Sequence, residues 1–188
     1  MAGGASEPKR ADRTREFREL ALPYLDDVYT MARYLIGSAG EAEDAAQECY
    51  LRAFRHFDSY RGPAIKPWLF AILRNVCLSA RGKSGELAGS SVPAEEETER
   101  EPLWGEPSET PERILLRRHD TETMRRLIAN LPAEFKEVIV LREINDLSYR
   151  DIALVIDAPI GTVMSRLARG RALLRAAWMA VEGEESIS

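Results

Sequence analysis

Residues 82–112 cut this chain into two parts that have to fold separately. The segment runs Gly82-Lys83-Ser84-Gly85, then Gly89-Ser90-Ser91, Pro93, Glu95-Glu96-Glu97, Pro102, Pro107 and Pro111, and it carries nine acidic against two basic side chains. Gly, Ser, Pro and Glu with few large apolar groups bury too little surface to offset the entropy of ordering the chain. A stretch of about 30 residues is also too long for an internal loop of a compact domain. The reading is a disordered acidic linker over 82–112 between a domain at 14–81 and a second at 113–181. Each domain is small, so each core is modest. Leu103-Trp104 is the one apolar spot in the linker, either an incidental hydrophobe or a docking point on a partner.

The same segment resolves a contradiction in the charge. The formal net charge is −5, which taken whole argues against a nucleic-acid partner. By segment the picture changes. Residues 1–81 carry 12 basic and 11 acidic groups, residues 113–181 carry 12 and 8, and the tail 182–188 carries three acids. The negative excess lies in the linker and tail, and the two domains are net positive.

The chain has no stretch of ~20 apolar residues to span a membrane, and residues 1–18 have no apolar signal-peptide core. A cytoplasmic protein without membrane insertion is expected. Cys49 and Cys77 lie far apart without CxxC spacing, and buried free thiols are the expectation. His56 and His119 have no further ligand at metal-binding spacing. There is no nucleophile elbow, P-loop or dinucleotide fingerprint, so neither an enzyme nor a bound metal or cofactor is expected.

Helical periodicity dominates throughout, giving an all-α fold. In the first domain Phe17, Leu20, Ala21, Tyr24, Leu25, Val28, Ala32, Leu35 and Ile36 recur at helical spacing. Pro23 interrupts the run and Gly37 suits its end. Over 41–57, Ala42, Ala45, Ala46, Cys49, Ala53 and Phe57 share one helix face. The opposite face holds Asp44, Gln47, Glu48 and Arg55 around Leu51. An apolar side chain centred there is either a plain solvated-face residue or an interface. The loop His56-Phe57-Asp58-Ser59-Tyr60-Arg61-Gly62-Pro63 interleaves aromatics with a cation, a pattern that suits unstacked bases and phosphate. A third helix from Pro67 to about Arg81 buries Trp68, Leu69, Ile72, Val76 and Cys77, with Trp68 as a core anchor and Arg74 and Asn75 nearer the edge.

In the second domain, helices are expected over Pro111–Asn130 and 134–144, the latter with Phe135, Val138, Ile139, Leu141 and Ile144 as apolar points. Ser148, three residues before Asp151, caps a short helix with Ile152, Ala153, Val155 and Ile156 inside. After the turn Asp157-Ala158-Pro159, a long helix runs from about Ile160 to Val181. Val163, Leu167, Gly170, Leu174, Ala177 and Trp178 face inward, and Gly161, Thr162, Ser165, Ala168, Arg169 and Ala172 face outward. This is a helix-turn-helix. Small outward residues let the helix enter a major groove, and residues 159–178 contain four arginines and no acid, a basic stripe for phosphates.

Two blocks of this sequence resemble one family. Glu41-Ala42-Glu43-Asp44-Ala45-Ala46-Gln47-Glu48, then Phe57 to Gly62 and Trp68 to Asn75, resemble region 2 of bacterial extracytoplasmic-function (ECF) sigma factors. Leu131-Pro132 through Glu143, Leu147 to Ala153, and Pro159-Ile160-Gly161-Thr162-Val163-Met164-Ser165-Arg166-Leu167 resemble region 4. The likeness covers about 20–81 and 112–176. It implies two small helical domains, a region 2 bundle and a region 4 helix-turn-helix, that act together on RNA polymerase and promoter DNA. Asp44, Gln47, Glu48 and Leu51 then bind the clamp helices of the polymerase largest subunit, with the flap as a second contact. Tyr60, Arg61 and Asn75 capture the melted −10 strand, and a base flipped into a pocket favours melted over duplex DNA. Arg142, Tyr149, Arg150, Thr162, Ser165, Arg166 and Arg169 match positions that read the −35 duplex. An anti-sigma factor is the implied regulator.

Three positions depart from the family pattern. Met164 stands where many members have a basic residue, Gly170 interrupts the last helix at a cost of up to ~1 kcal/mol, and Ala45-Ala46 replace bulkier groups. Two other readings compete: a helix-turn-helix regulator that does not join polymerase, which has no need of the 41–75 pattern, and a sigma mimic that sequesters an anti-sigma factor, whose basic stripe should have degenerated.

Overall fold

In the computed structural model the backbone is described for residues 7–62, 64–84 and 111–185, and side chains for 12–62, 64–80 and 120–183. The body of the linker, with Leu103-Trp104, lies outside the described residues. The described elements are helical. In chain order they are α1 (Glu7–Ala21), a 3-10 turn (Leu22–Tyr24), α2 (Leu25–Ile36), α3 (Ala39–His56), a second 3-10 turn (Phe57–Ser59), α4 (Ile65–Ser84), α5 (Pro111–Ala129), α6 (Ala133–Ile139), a π-helical turn (Val140–Ile144), α7 (Tyr149–Ile156) and α8 (Ile160–Glu185).

The breaks follow local chemistry. Pro23 sits in the 3-10 turn that separates α1 from α2. Gly37 ends α2 at φ 94°, a left-handed conformation that side chains resist, and its N–H donates to the Arg33 carbonyl. The next residue, Ser38, caps α3 by accepting from the Glu41 N–H.

In the first domain α2, α3 and α4 pack against one another and α1 closes over them. The inner face expected for the second helix is buried in full: Ala42, Ala45, Ala46, Cys49, Ala53 and Phe57. Alanines there let α3 approach α2 and α4 closely. Cys49 and Cys77 are buried free thiols, and burial pushes the Cys49 thiol up to about 12. Phe17 of α1 meets Phe54 and Phe57 edge-on, each at 5.2 Å. Not every apolar point is interior. Leu20, Leu25 and Ile144 are exposed, each at or beside the end of its element. Phe70 and Leu73 of α4, absent from the sequence-based core, are fully buried.

In the second domain α8 packs on α6 and α7, and α5 lies along α8. The helix expected over 134–144 changes after Ile139 into a π turn, in which the Asn145 N–H and side-chain amide both donate to the Val140 carbonyl. Gly170 faces α6 so closely that a Cβ there would stand 2.9 Å from Cγ1 of Ile139. The helix-breaking glycine is therefore the condition for α6 and α8 to touch.

The sequence supplied no relative placement for the two domains. In the structure they meet: α4 lies against α7, and α2 lies against α6 and the π turn. Buried apolar residues from Phe17 to Leu167 form one continuous cluster.

Candidate functional site

Three surfaces carry the side chains singled out above. The first is the outer face of α3. Because the alanine face turns inward, Asp44 and Gln47 project into solvent, and Leu51 is 53% exposed among them. Glu48 is half-buried and accepts from Arg52 at 2.6 Å. That hydrogen bond holds its carboxyl below the usual carboxylate range. The four expected residues thus share one face, an apolar knob ringed by acid and amide, suited to a basic partner helix with an apolar seam.

The second surface starts at the 3-10 turn after α3. Phe57 is buried and stacks on Tyr60, with ring planes 9° apart and centroids 6.3 Å apart. Tyr60 in turn lies 5.1 Å from Trp68 of α4. Gly62 makes room for this ring, since a Cβ there would stand 3.1 Å from Tyr60 Cε2. Partial burial raises the Tyr60 hydroxyl pKa. Arg61 is exposed, its Nη1 donating to the Asp58 and Tyr60 carbonyls. Asn75 is exposed and lies seven residues beyond Trp68, hence on the same side of α4 roughly 10 Å along its axis. Trp68 is only half-buried; beyond anchoring the core it extends the aromatic platform. The signal for that role lies in the loop, which brings Tyr60 back onto the first turns of α4.

The third surface is the helix-turn-helix. Ser148 caps α7 as expected: its hydroxyl accepts from the Asp151 N–H at 3.1 Å and donates to the Asp151 carboxylate at 2.7 Å. Asp157 takes the left-handed conformation at φ 51° that turns the chain toward α8. Val163 and Leu167 are buried, which orients α8. Ser165 and Arg169 are then exposed, and Thr162 and Arg166 half-exposed. Met164 is 54% exposed, in the middle of this face.

Some of the expected contact residues have structural partners as well. Arg142 donates to the Leu147 carbonyl at 2.8 Å, and its guanidinium lies 5.4 Å from the centre of the Tyr149 ring. Together they frame the entry to α7, beside the exposed Arg150. Arg171, read from sequence as part of the basic stripe, is held in an ion pair with Glu143 at 2.7 Å. Hydrogen bonds to Glu143 and Tyr149 raise its pKa further. Among the described residues, no helix is long and apolar enough to cross a membrane.

The comparisons match both halves. Residues 20–86 match the Sigma-70 region 2 model and residues 121–174 the Sigma-70 region 4 model. The RNA polymerase sigma-H factor of Pseudomonas aeruginosa is 36% identical over 171 residues, covering 87% of this chain and 86% of that protein. The ECF RNA polymerase sigma-E factor of Escherichia coli K12 is 32% identical over 160 residues, with 84% and 83% coverage. The chain belongs to the ECF sigma-factor family. Among solved structures, the sigma factor RpoE of Bartonella quintana, determined in complex with the anti-sigma factor NepR, superposes with a TM-score of 0.68 at 26% identity. It covers 88% of this chain and 98% of that one. CnrH, determined with the cytosolic domain of CnrY, superposes with a TM-score of 0.60 at 21% identity, covering 89% and 90%, and shares the fold. As an ECF sigma factor the chain is a transcription-initiation subunit that joins RNA polymerase core and recognises promoters through regions 2 and 4.

Proposed function

We propose that the three surfaces divide the work of promoter recognition. The α3 face, with Asp44, Gln47, Glu48 and Leu51, docks on the clamp helices of the largest polymerase subunit. Leu51 supplies the buried anchor and the acids supply orientation and association rate. Tyr60, Arg61 and Asn75 hold the melted −10 strand. Tyr60 offers a stacking face, Arg61 a phosphate contact once it leaves its carbonyl partners, and Asn75 the paired donor and acceptor that read an unstacked base edge. Arg150, Thr162, Ser165, Arg166 and Arg169 contact the −35 duplex, with Arg142 and Tyr149 positioning the start of α7. The protein has no catalytic step of its own and works in the cytoplasm, where polymerase and promoter are. The relative determined with NepR supports an anti-sigma factor as its regulator.

The observation that carries this reading is the exposed, acid-ringed Leu51 face on the same chain as a capped helix-turn-helix. A DNA-binding regulator that works without polymerase has no use for it. Run-off transcription with core polymerase on promoters enriched from genomic DNA tests the reading. Added chain is expected to give specific transcripts, and Asp44→Arg is expected to lose most of both transcription and core pull-down while keeping its circular-dichroism spectrum. Absence of transcripts on every enriched promoter, or unchanged pull-down by Asp44→Arg, contradicts it.

A further inference from the structure

The first helix is tied to the loop that carries Tyr60 and Arg61. Arg13 of α1 reaches the far end of α3, where its Nη2 donates to the Phe54 carbonyl at 2.5 Å and to the Arg55 carbonyl at 3.5 Å. Its Nε stands 2.7 Å from Oδ1 of Asp58, an ion pair in which the N–H is not aligned for a hydrogen bond. The guanidinium also lies 4.7 Å from the centre of the Phe54 ring. Four residues on, and hence on the same side of α1, Phe17 meets Phe54 and Phe57 edge-on. A helix C-terminus leaves carbonyls without intrahelical partners and carries partial negative charge. Arg13 answers both from another helix. A planar guanidinium can meet two carbonyls, a carboxylate and a ring face together, which the point charge of a lysine cannot.

What this cation grips is the turn that opens the −10 loop. Asp58 is the middle residue of the 3-10 turn Phe57–Ser59. Its carboxylate faces Arg13, while its carbonyl accepts from Nη1 of Arg61 at 2.6 Å. Ser59 closes the same turn, its hydroxyl donating to the His56 carbonyl at 2.6 Å. Phe57, held edge-on by Phe17, stacks on Tyr60, and Tyr60 leans on Trp68. The Asp58 side chain is 74% exposed and that of Arg13 26%. A pair so open on one side adds little to global stability. Its effect is local. It fixes one residue of a short turn, and a loop already fixed loses less freedom when it binds.

We infer that Arg13 is a positioning residue for the −10 site: through Asp58 and the end of α3 it holds Arg61 and the Phe57–Tyr60–Trp68 platform in place before the melted strand arrives. Arg13 makes no DNA contact in this role, since its guanidinium is already engaged. It also precedes residues 20–86, the segment that matches the Sigma-70 region 2 model. The inference rests on the −10 role proposed above for Tyr60 and Arg61 and adds the residue that sets their geometry.

The test uses the full chain assembled with core polymerase. The probe is a fork-junction DNA whose single-stranded −10 segment comes from a promoter enriched from genomic DNA. Arg13→Gln keeps a good helix former and removes the charge. It is expected to weaken fork-junction binding roughly five- to tenfold, while core pull-down and affinity for an isolated −35 duplex stay within about twofold. In a Tyr60→Ala background the same change is expected to add less than about twofold, because the ring it positions is gone. A merely structural role would weaken both backgrounds alike. If the thermal melt shows that Arg13→Gln does not fold, Asp58→Asn replaces it: Asn keeps the turn chemistry, removes the ion pair and is expected to cost roughly two- to threefold in the same assay. Unchanged fork-junction binding, an equal loss with and without Tyr60, or a loss shared by core pull-down and −35 affinity overturns the inference. If Tyr60→Ala alone binds the fork junction as tightly as the parent chain, the −10 reading fails instead.

Discussion

Gly170 has opposite meanings in the sequence and in the structure. Along the sequence it is a weak point in a long helix, because glycine costs about 1 kcal/mol relative to alanine at a helical position. In the fold it is the point where α8 touches Ile139, and a Cβ would meet Cγ1 of that fully buried side chain at 2.9 Å. Overpacking a closed core costs ~1–3 kcal/mol, so the steric term outweighs the propensity gain. Gly170→Ala is expected to destabilise the protein in urea titration; equal or greater stability contradicts the close approach. Arg171 makes a similar point, since its charge belongs to Glu143 rather than to a free basic stripe. A sequence shows which charges lie on a helix face and not which of them are already engaged.

At the scale of elements, sequence reasoning located helices well wherever a cap or breaker marks the end. Ser148, Gly37 and Pro23 each act where their chemistry places them. The alanine face of α3 is buried residue for residue as periodicity predicts. The π turn at Val140–Ile144 left no such mark, because apolar spacing there is compatible with an unbroken α-helix and only packing selects the wider turn. The outer face of α8 was legible because a buried side at Val163, Leu167 and Gly170 leaves Ser165 and Arg169 outside. Arg169→Ala is expected to weaken binding to a cognate −35 duplex by ~1–3 kcal/mol at fixed salt and to relax preference at one base pair. An affinity unchanged on both cognate and altered duplexes removes Arg169 from the reading face.

At the scale of the whole molecule, the two domains share one continuous buried cluster and are bridged by Arg74–Glu137 and Lys66–Asn145. Domains on a tether would melt separately. Domains sharing a core and an ion-paired seam are expected to melt together in one cooperative calorimetric transition, which splits in two in Arg74→Glu. Two transitions in the parent chain would show that the seam contributes little.

The sequence by itself determined the all-α class, the sigma regions and most of the residues that face solvent on α3 and α8. Those properties rest on local signals: periodicity, caps, breakers and the separation of charge along the chain. Only the tertiary structure decided that Trp68 joins the Tyr60 platform, that Gly170 is required, that Arg171 is engaged and that the domains close on each other. Each depends on which atoms meet across long separations in the chain, as when Arg74 finds Glu137 sixty-three residues away, and no local pattern encodes such a meeting.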